Sequence, residues 1–216
     1  MMESTTLTRA YLSPLGRMRM LGGAPALDLA NTLHRRDGAL ADFIPDYSAL
    51  LDFCLPAQLL NVEEFKAARR ECRKNAGKAA RIRGQVVQLR HALKQWLQAA
   101  ATNLNGSKRS SQTALRRLSS AIADTVGDAE FNVVLGPLQI EPKDAVSLPL
   151  WRCAAAIALL TLFAPEGDIR QCEADSCGGY FINQSRSKPR RWCSMDGCGN
   201  RAKAARFRKA HGQVAL

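Results

Sequence analysis

Four of the seven cysteines lie near the C-terminus in two pairs of equal spacing, an arrangement that is typical of metal ligands. Cys172 and Cys177 form one C-x4-C pair, and Cys193 and Cys198 form the other, with fifteen residues between the pairs. Each pair can place two thiolates on one tight turn, and a chain reversal between the pairs would bring four sulfurs to the corners of a tetrahedron. The spacing therefore predicts a closed structural site for Zn²⁺. An iron–sulfur cluster also accepts four thiolates and is the alternative metal group.

The sequence after the third cysteine predicts a helix that carries positive charge. Ser194 is a suitable N-cap, and a helix that begins near 194–196 would hold the fourth cysteine in its first turn. At about 100° per residue, the basic side chains of this helix spread over one broad arc. Ala204 and Phe207 occupy the remainder, and we expect them to face the aromatic run 180–182. The helix is thus predicted to have an apolar inner side and a positive outer side.

Positive charge is concentrated in this C-terminal part of the chain. Residues 168–216 carry ten Lys/Arg against four Asp/Glu in 49 residues. Such a balance favours a polyanionic partner, most commonly nucleic acid. A membrane surface would need a large apolar face opposite the basic one, and no such face is evident. We expect DNA as the partner, with RNA as the weaker alternative and no membrane. The candidate DNA contacts are Arg190, Arg191, Asn200, Arg201, Lys203, Arg206, Arg208 and Lys209.

Two of these candidates have a second interpretation. Asn200 and Arg201 follow the fourth cysteine directly, and an Asn or Arg that enters a DNA groove can contact base edges. Near a metal site the same two side chains can instead hydrogen-bond the thiolates or attach the metal-binding region to the preceding domain. The sequence leaves both interpretations open.

Composition and length indicate a packed, cytoplasmic protein. The chain has 216 residues, a hydrophobic fraction of 46% and a formal net charge of +12. Its first twenty residues lack the features of a secretory signal, and its longest apolar run, 153–164, is shorter than the roughly 20 residues that a membrane span needs. Thiols stay reduced in the cytoplasm, so the paired cysteines are expected to bind metal rather than to form disulfides.

The first part of the chain predicts short helices. Apolar residues at helical spacing predict a helix over 24–37, with Pro25 in its first turn and Asp37-Gly38 at its end. Asp46 is a suitable cap for a second helix, 47–54.

A longer helical region follows. Asn61 and Glu64 form a capping-box pattern at its start. The glycines Gly77 and Gly84 argue against a single straight helix through 62–103. An apolar stripe along 82–100 at i, i+4, i+7 spacing predicts the face that packs into the core.

A small hairpin near 131–140 and a last helix over 146–163 complete this part. The last helix is apolar nearly all round and is expected to be the most buried. We place a domain boundary near Asp168. The predicted fold is mainly α with a small β-hairpin (α+β): a helical domain over 1–167, followed by a treble-clef-like zinc finger over 168–216 with a basic C-terminal helix.

Two other polar groups have open interpretations. The basic residues of 66–94 favour a solvated face, with contact to nucleic acid or lipid as the alternative. A polar cluster beside the Gly22-Gly23 pair predicts either a small-molecule pocket or a set of capping and inter-element hydrogen bonds. Its candidate ligand-binding residues are Asp28, Asn31, Thr32 and Arg35, with His34 between them.

The residues also carry a resemblance to a known family. Residues 190–201, RRWCSMDGCGNR, with Lys203 after them and the upstream Cys172-x4-Cys177-Gly178, resemble the CGNR-type zinc finger. Residues 21–33, LGGAPALDLANTL, resemble the ABATE domain that precedes this finger in a family of bacterial proteins. Family members often have an acidic residue where Asn183 stands here.

The resemblance implies a stress-induced transcription regulator that uses the finger to bind DNA and the four cysteines as zinc ligands. The N-terminal domain is then expected to sense a small-molecule effector or to mediate assembly, such as a homodimer. A zinc-binding adaptor for RNA or protein is the alternative. An enzyme is not expected, because four ligands leave the metal no open position and the three histidines match no catalytic motif.

Overall fold

The computed structural model describes residues 20–36, 39–102, 108–127, 131–134, 139–142, 144–163, 168–185 and 188–211. Within these residues the chain forms seven α-helices, three two-stranded antiparallel hairpins and one π-helical turn, which confirms the mainly α fold class. In chain order the elements are α1 (Pro25–Asn31), β1 (Leu33–Arg36), β2 (Ala39–Asp42), α2 (Tyr47–Cys54), α3 (Val62–Lys74), α4 (Ala76–Thr102), α5 (Lys108–Gly127), β3 (Phe131–Val134), β4 (Gln139–Pro142), α6 (Leu148–Phe163), β5 (Ile169–Gln171), β6 (Tyr180–Ile182), the π-helical turn (Met195–Gly199) and α7 (Asn200–His211).

The first helix is shorter than its apolar spacing predicts. Helix α1 begins with Pro25 in its first turn and ends at Asn31. The following segment is strand β1, which pairs with β2 so that Leu33 lies opposite Asp42. The prediction of one helix over 24–37 was therefore wrong in its second half. Residues 37 and 38, where that helix was predicted to end, lie outside the described residues.

The predicted helix caps are confirmed. The Asp46 carboxylate accepts a hydrogen bond from the Ala49 N–H at 2.8 Å at the start of α2. At the start of α3, the Asn61 side chain accepts from the Glu64 N–H at 2.9 Å, while the Glu64 carboxylate accepts from the Asn61 N–H at 2.8 Å. This reciprocal pair satisfies two of the N–H groups that a helix start leaves without partners.

The long helical region breaks at Asn75 rather than at its glycines. Helix α3 ends at Lys74, and α4 runs without interruption from Ala76 through Gly77 and Gly84 to Thr102. A glycine within a helix costs only about 1 kcal/mol relative to alanine. The buried residues on one face of α4, among them Val86, Leu89 and Leu93, can offset that cost.

The main core lies where α4 packs against α1, α2, α5 and α6. Helix α6 contributes Leu150, Cys153, Ile157 and Leu160, which are buried, but the other large apolar residues of its last turns are exposed. Leu159, Leu162 and Phe163 are 57%, 73% and 74% exposed. The helix that was expected to be the most buried therefore exposes large apolar side chains at its C-terminal end.

Several basic residues of α4 are internal rather than solvated. Arg90 has a side chain that is 1% exposed, and its guanidinium makes two 2.8 Å hydrogen bonds to the two carboxylate oxygens of Asp42. Arg83 donates to the carbonyl oxygen of Ile44, and Lys94 donates to that of Leu33. These contacts attach the β1–β2 region to α4, so this part of the predicted solvated face is a structural element.

The C-terminal strands pack against the helical domain. Tyr180 of β6 is buried within the main core, and Ile169 and Ile182 pack against it. The Ile182 N–H also donates to the Gly22 carbonyl oxygen at 2.8 Å. Among the described residues, no helix has the length and apolar character that crossing a membrane requires.

Candidate metal centre

The first cysteine pair is held by a tight turn between β5 and β6. The Cys177 N–H donates to the Ala174 carbonyl oxygen at 2.9 Å, and the Cys172 N–H donates to the Gly179 carbonyl oxygen at 2.7 Å. Gly178, next to the second cysteine, has φ +63, a left-handed conformation that favours glycine. The turn folds both thiols toward the same point.

The second pair spans the start of the C-terminal helix. The hydroxyl oxygen of Ser194 accepts a hydrogen bond from the Gly197 N–H at 2.9 Å, as expected of the predicted cap. Cys198 lies in the π-helical turn that leads directly into α7. A Cβ on Gly199 would lie 2.6 Å from the Met195 sulfur, so a larger residue would displace the exposed Met195 side chain from this turn.

The four sulfurs meet with the spacing of a tetrahedral site. The sulfurs of Cys172, Cys177, Cys193 and Cys198 all lie within 4.8 Å of one another. Cys193 Sγ is 3.8 Å from Cys177 Sγ and 3.6 Å from Cys198 Sγ. Zn–S bonds of about 2.3 Å in a tetrahedron imply sulfur separations of about 3.8 Å. The donor set therefore fits a four-coordinate metal ion, and the four cysteines form a candidate metal site.

The electrostatics of the cluster favour a cation at its centre. Hydrogen bonds from the Cys177 and Cys193 thiols lower the pKa of Cys172 to about 2. The hydrogen bond to Cys172 raises the pKa of Cys177 to about 12, and the pKa of Cys193 is raised for the same reason. One negative charge is thus easily held, whereas several adjacent thiolates repel one another unless a cation compensates them.

Arg201 contributes to this cluster. Its guanidinium donates to Cys198 Sγ at 3.2 Å, and this hydrogen bond raises the pKa of Arg201. The Cys193 N–H donates to Cys172 Sγ at 3.4 Å. Donors to sulfur of this kind orient and stabilise thiolate ligands.

Asn200 differs from its neighbour Arg201. Its backbone N–H bonds to the carbonyl oxygens of Gly197 and Met195, which continues the helix. Its side chain is exposed and makes no hydrogen bond to any described residue. The two residues that the sequence could not separate therefore point in different directions.

Arg190 and Arg191 are exposed but are held against the finger. The Arg190 guanidinium lies 4.9 Å from the centre of the Phe181 ring and donates to the Ile182 carbonyl oxygen at 2.6 Å. Arg191 forms a 2.6 Å ion pair with Glu173.

Asn183 holds the loop that precedes them. Its side-chain oxygen accepts a hydrogen bond from the Arg190 N–H at 3.0 Å. An acidic residue at this position could accept the same bond, so the departure at Asn183 is compatible with the fold of the finger.

Helix α7 projects its basic side chains into solvent. Arg206 lies 5.8 Å from the Trp192 ring, whereas Lys203, Arg208 and Lys209 are exposed and make no ion pair with any described residue. The apolar residues of α7 do not face the aromatic strand, although the sequence predicts that they do.

The expectation that Ala204 and Phe207 face the aromatic strand was wrong. Both residues are exposed, and Phe207 is 64% exposed and stacks on His211 with a centroid separation of 3.9 Å. The residues of α7 that approach the finger are instead Ala202, which is half-buried, and Arg206. Helical periodicity defined the faces but not which of them is covered.

The polar cluster near the N-terminus is occupied by internal hydrogen bonds. Asp28 is buried and accepts from the Gly22 N–H at 2.8 Å; burial raises its pKa to about 6, although hydrogen bonds from Gly22 and Leu21 oppose the shift. The Asn31 side chain donates to the Tyr180 carbonyl oxygen and accepts from the Tyr180 N–H, both at 2.8 Å. Asn31 therefore pairs with strand β6 of the finger as a neighbouring strand would.

Thr32 is also used internally. Its hydroxyl donates to the Leu29 carbonyl oxygen at 2.7 Å and accepts from Arg90 at 2.8 Å. The side chains of His34 and Arg35 lie outside the described residues. These contacts are the capping and inter-element hydrogen bonds that the sequence allowed as the alternative to a small-molecule pocket. A ligand-binding role for this cluster stays a prediction. The sequence did not identify Arg90 and Tyr180 as members of the cluster, because no local pattern joins residues so far apart.

Two family models match the chain. ABATE, described as "Putative stress-induced transcription regulator", matches residues 23–162, well over half of the chain. The CGNR zinc finger model matches residues 169–211, which include all four cysteines. The two matches have the order that the resemblance implies. A comparison with curated proteins finds no match.

Proposed function

Because the chain belongs to the ABATE family and carries a CGNR zinc finger, we propose that it is a zinc-containing transcription regulator that binds DNA through the finger. The family description supports the regulatory role. The arrangement of the four cysteines and helix α7 supports the role of the finger.

Zinc is the metal that the site fits best. Cys172, Cys177, Cys193 and Cys198 would supply four thiolates, and structural Zn²⁺ sites are commonly tetrahedral with this donor set. The metal would join two turns that bury little apolar surface, so its binding energy would provide much of the folding energy of the finger. With all four positions taken by cysteines no site for a catalytic water remains, and we propose that the protein is not an enzyme.

The observation that carries the DNA-binding role is the attachment of α7 to the metal site. The fourth ligand, Cys198, lies in the turn directly before α7, so metal binding would fix the start of a helix that carries five basic residues and no acidic residue. Three of those basic side chains are exposed and form no ion pair with any described residue. Such side chains can neutralise DNA phosphates and release counterions, which gives affinity that depends on salt.

We assign assembly to the helical domain. Leu159, Leu162 and Phe163 form an exposed apolar group at the end of α6. Burial of this group between two copies would give a homodimer with two fingers, an arrangement that suits recognition of two half-sites. Sedimentation should show a dimer for the native chain and a monomer for Leu162→Glu; a native monomer at micromolar concentration would exclude this assignment. A small-molecule effector at the Asp28 cluster remains a further proposal, which calorimetry with candidate ligands would test.

The metal is tested by elemental analysis of the purified protein. We expect about one zinc per chain, and none after Cys198→Ser. We also expect a cytoplasmic protein, since thiolate ligands stay reduced there. Iron with visible absorption, or a folded finger without metal, would contradict the zinc assignment.

DNA binding is tested by the salt dependence of the dissociation constant for duplex DNA. The double variant Arg208→Ala/Lys209→Ala should weaken binding and reduce the salt slope by about two charges. Arg73→Ala/Lys74→Ala is the matched control, because it removes two exposed charges from the end of α3 and should leave the slope unchanged. Equal effects of the two double variants on the salt slope would show that the DNA contact is not confined to the finger. Preferential binding of an RNA competitor would favour the adaptor function.

A further inference from the structure

One face of α7 lies away from the rest of the finger and carries side chains suited to contact bases. At about 100° per residue, five positions fall within one arc of about 100°. They are Asn200, Lys203, Ala204, Phe207 and His211, and all five are exposed. This set is called the outer face below.

The opposite side of the helix faces the finger. Ala202 is half-buried, and Arg206 lies over the Trp192 ring. Arg201, at the edge of this side, donates to Cys198 Sγ. The attachment of α7 to the metal site therefore determines which face remains free, and that face is the outer one.

The outer face has recognition groups that no described residue satisfies. The Asn200 amide offers both a donor and an acceptor, and neither is used within the described residues. Phe207 is 64% exposed, so its ring gains little from burial in the protein itself. The His211 Nδ1–H donates to the Phe207 carbonyl oxygen at 2.9 Å, which holds the imidazole ring stacked beside the phenyl ring. Ala204, between Asn200 and Phe207, is small enough to allow a close approach.

On the basis of the proposed DNA-binding function, we propose that the outer face of α7 enters the major groove of duplex DNA and recognises a site with A·T pairs. The major groove admits an α-helix, and an Asn amide can make two hydrogen bonds to the N6 and N7 edge of adenine. A Phe ring makes an apolar contact with the thymine methyl group. Asn200 is therefore the adenine contact and Phe207 the thymine contact.

The spacing of these two residues predicts the spacing of the two bases. Seven residues of helix correspond to about 10.5 Å, which equals about three base-pair steps of 3.4 Å for a helix that follows the groove. Lys203, between them, would contact a guanine edge or a phosphate in the same stretch.

Charge selects DNA over other occupants of this face. Helix α7 has five basic residues and no acidic residue. At about 100° per residue, Arg208 lies about 40° from one edge of the outer face, where it can contact the phosphates of a strand that borders the groove, whereas Lys209 lies on the opposite side of the helix. A second copy of this chain would bring like charges together.

The test is selection from a randomised duplex library, carried out with the full-length zinc-loaded protein. The native chain should select a motif with an adenine and, about three steps away, a thymine. Asn200→Ala should reduce discrimination at the adenine by about 10-fold to 100-fold, and Phe207→Ala should reduce it at the thymine alone. Arg208→Ala is the control, and it should weaken binding to all sequences without a change of motif.

Asn200→Asp distinguishes a base contact from a structural role. It keeps the shape of the side chain but replaces the amide donor by an acceptor, which favours the N4 amine of cytosine. The preferred base at that one position should change from adenine to cytosine, while zinc content and far-UV circular dichroism stay the same.

The results separate this inference from the function on which it rests. If the native chain binds no duplex DNA, the proposed function itself fails. If it binds DNA but selects no motif, or if the Asn200 and Phe207 variants select the native motif, the outer face is not the recognition surface. Tighter binding to single-stranded RNA or to anionic vesicles than to duplex DNA would also overturn the inference.

Discussion

The two basic helical segments of this protein, α4 and α7, use positive charge in opposite ways. In α4, Lys78 pairs with Asp144 at 2.7 Å, and Arg90 pairs with Asp42 at 2.8 Å in the protein interior. In α7, Lys203, Arg208 and Lys209 are exposed and have no such partner within the part of the chain that the structure describes. The first set of charges attaches distant segments of one chain to each other, whereas the second set is available to another molecule.

The comparison shows that the number of charges does not locate a binding surface. The net charge of +12 includes side chains of both kinds, and a buried ion pair contributes nothing to the field that an external polyanion meets. Acidic partners decide the difference. Neither helix contains an acidic residue, but carboxylates of other segments lie close to α4, whereas no described carboxylate forms an ion pair with α7.

Helices α4 and α7 also differ in the interactions that stabilise them. Among the described residues, helix α4 packs against α1, α2, α3, α5 and α6, so apolar burial stabilises it. Helix α7 is exposed along nearly its whole length, and a lone 12-residue helix is marginal in water. Its order therefore depends on the sulfur cluster at its start.

Loss of a metal ligand should give the largest difference in stability between the finger and the helical domain. Cys193→Ser should abolish zinc binding and unfold the finger, because metal binding contributes about 10–16 kcal/mol to the folding of comparable fingers. The helical domain should still unfold cooperatively, with lower stability because the packing of Tyr180 is lost. Circular dichroism and thermal unfolding measure both effects.

Cys72→Ser is the matched control, since it makes the same change on α3 outside the site and should leave the metal content intact. Simultaneous collapse of finger and helical domain after Cys193→Ser would contradict the predicted boundary near Asp168.

The next largest difference in stability is expected between equivalent substitutions in α4 and in α7. Arg90→Met removes the three hydrogen bonds that the buried guanidinium makes to Asp42 and Thr32, and we expect a loss of about 3 kcal/mol in the free energy of unfolding. Arg83 stays near the partly exposed Asp42 carboxylate in this variant. Arg208→Met removes an exposed charge and should change that free energy by less than about 0.5 kcal/mol. Urea denaturation of the two variants provides the measurement. Equal losses would mean that α7 is also part of the folded core.

Substitutions of Asn31 test the contact between the helical domain and the finger. Asn31→Ala removes both hydrogen bonds to the Tyr180 backbone, and the unpaired groups should cost about 2–3 kcal/mol in stability. Asn31→Asp retains an acceptor for the Tyr180 N–H and should cost less. Gln88→Ala, which removes an exposed amide from α4, should be nearly neutral. A neutral Asn31→Ala would show that apolar packing alone attaches β6.

The smallest effect is expected from acid. Burial opposes ionisation of Asp42, but hydrogen bonds from Arg90 and the Ile44 N–H, with the nearby charge of Arg83, lower its pKa below the ordinary value of 3.8. The ion pair therefore adds stability above about pH 4, and this contribution is lost as the pH falls through the lowered pKa.

The change should be under about 1 kcal/mol, because the Asp42 side chain is 33% exposed and solvent screens the pair. Unfolding free energies between pH 5 and pH 3 should fall less in Arg90→Met than in the native chain. An identical pH dependence in both would place the titrating groups elsewhere.

Local patterns predicted the parts of the structure whose cause is local. The Asp46 cap and the Asn61–Glu64 capping box depend on residues within three positions of one another, and both are present. The cysteine spacing likewise predicted a cluster whose sulfurs lie within 4.8 Å of one another. In each case the chain between the groups is short enough to fix their geometry.

The wrong predictions concern contacts between distant segments. Helical spacing through Leu33 could not reveal that Asp42 and Arg90 draw the segment into a hairpin against α4. The amphipathic pattern of α7 could not reveal that Phe207 faces solvent, because the covered side depends on the direction in which the helix leaves the metal site.

By itself the sequence determined the cysteine cluster, the capped starts of α2 and α3 and the basic character of the C-terminus, since each follows from residue types and short spacings. Only the tertiary structure decided which charges are internal, that Asn31 joins the helical domain to the finger, and that Arg201 faces the thiolates while Asn200 faces outward. Those facts depend on side chains that are as many as 149 positions apart, and packing alone brings such side chains together.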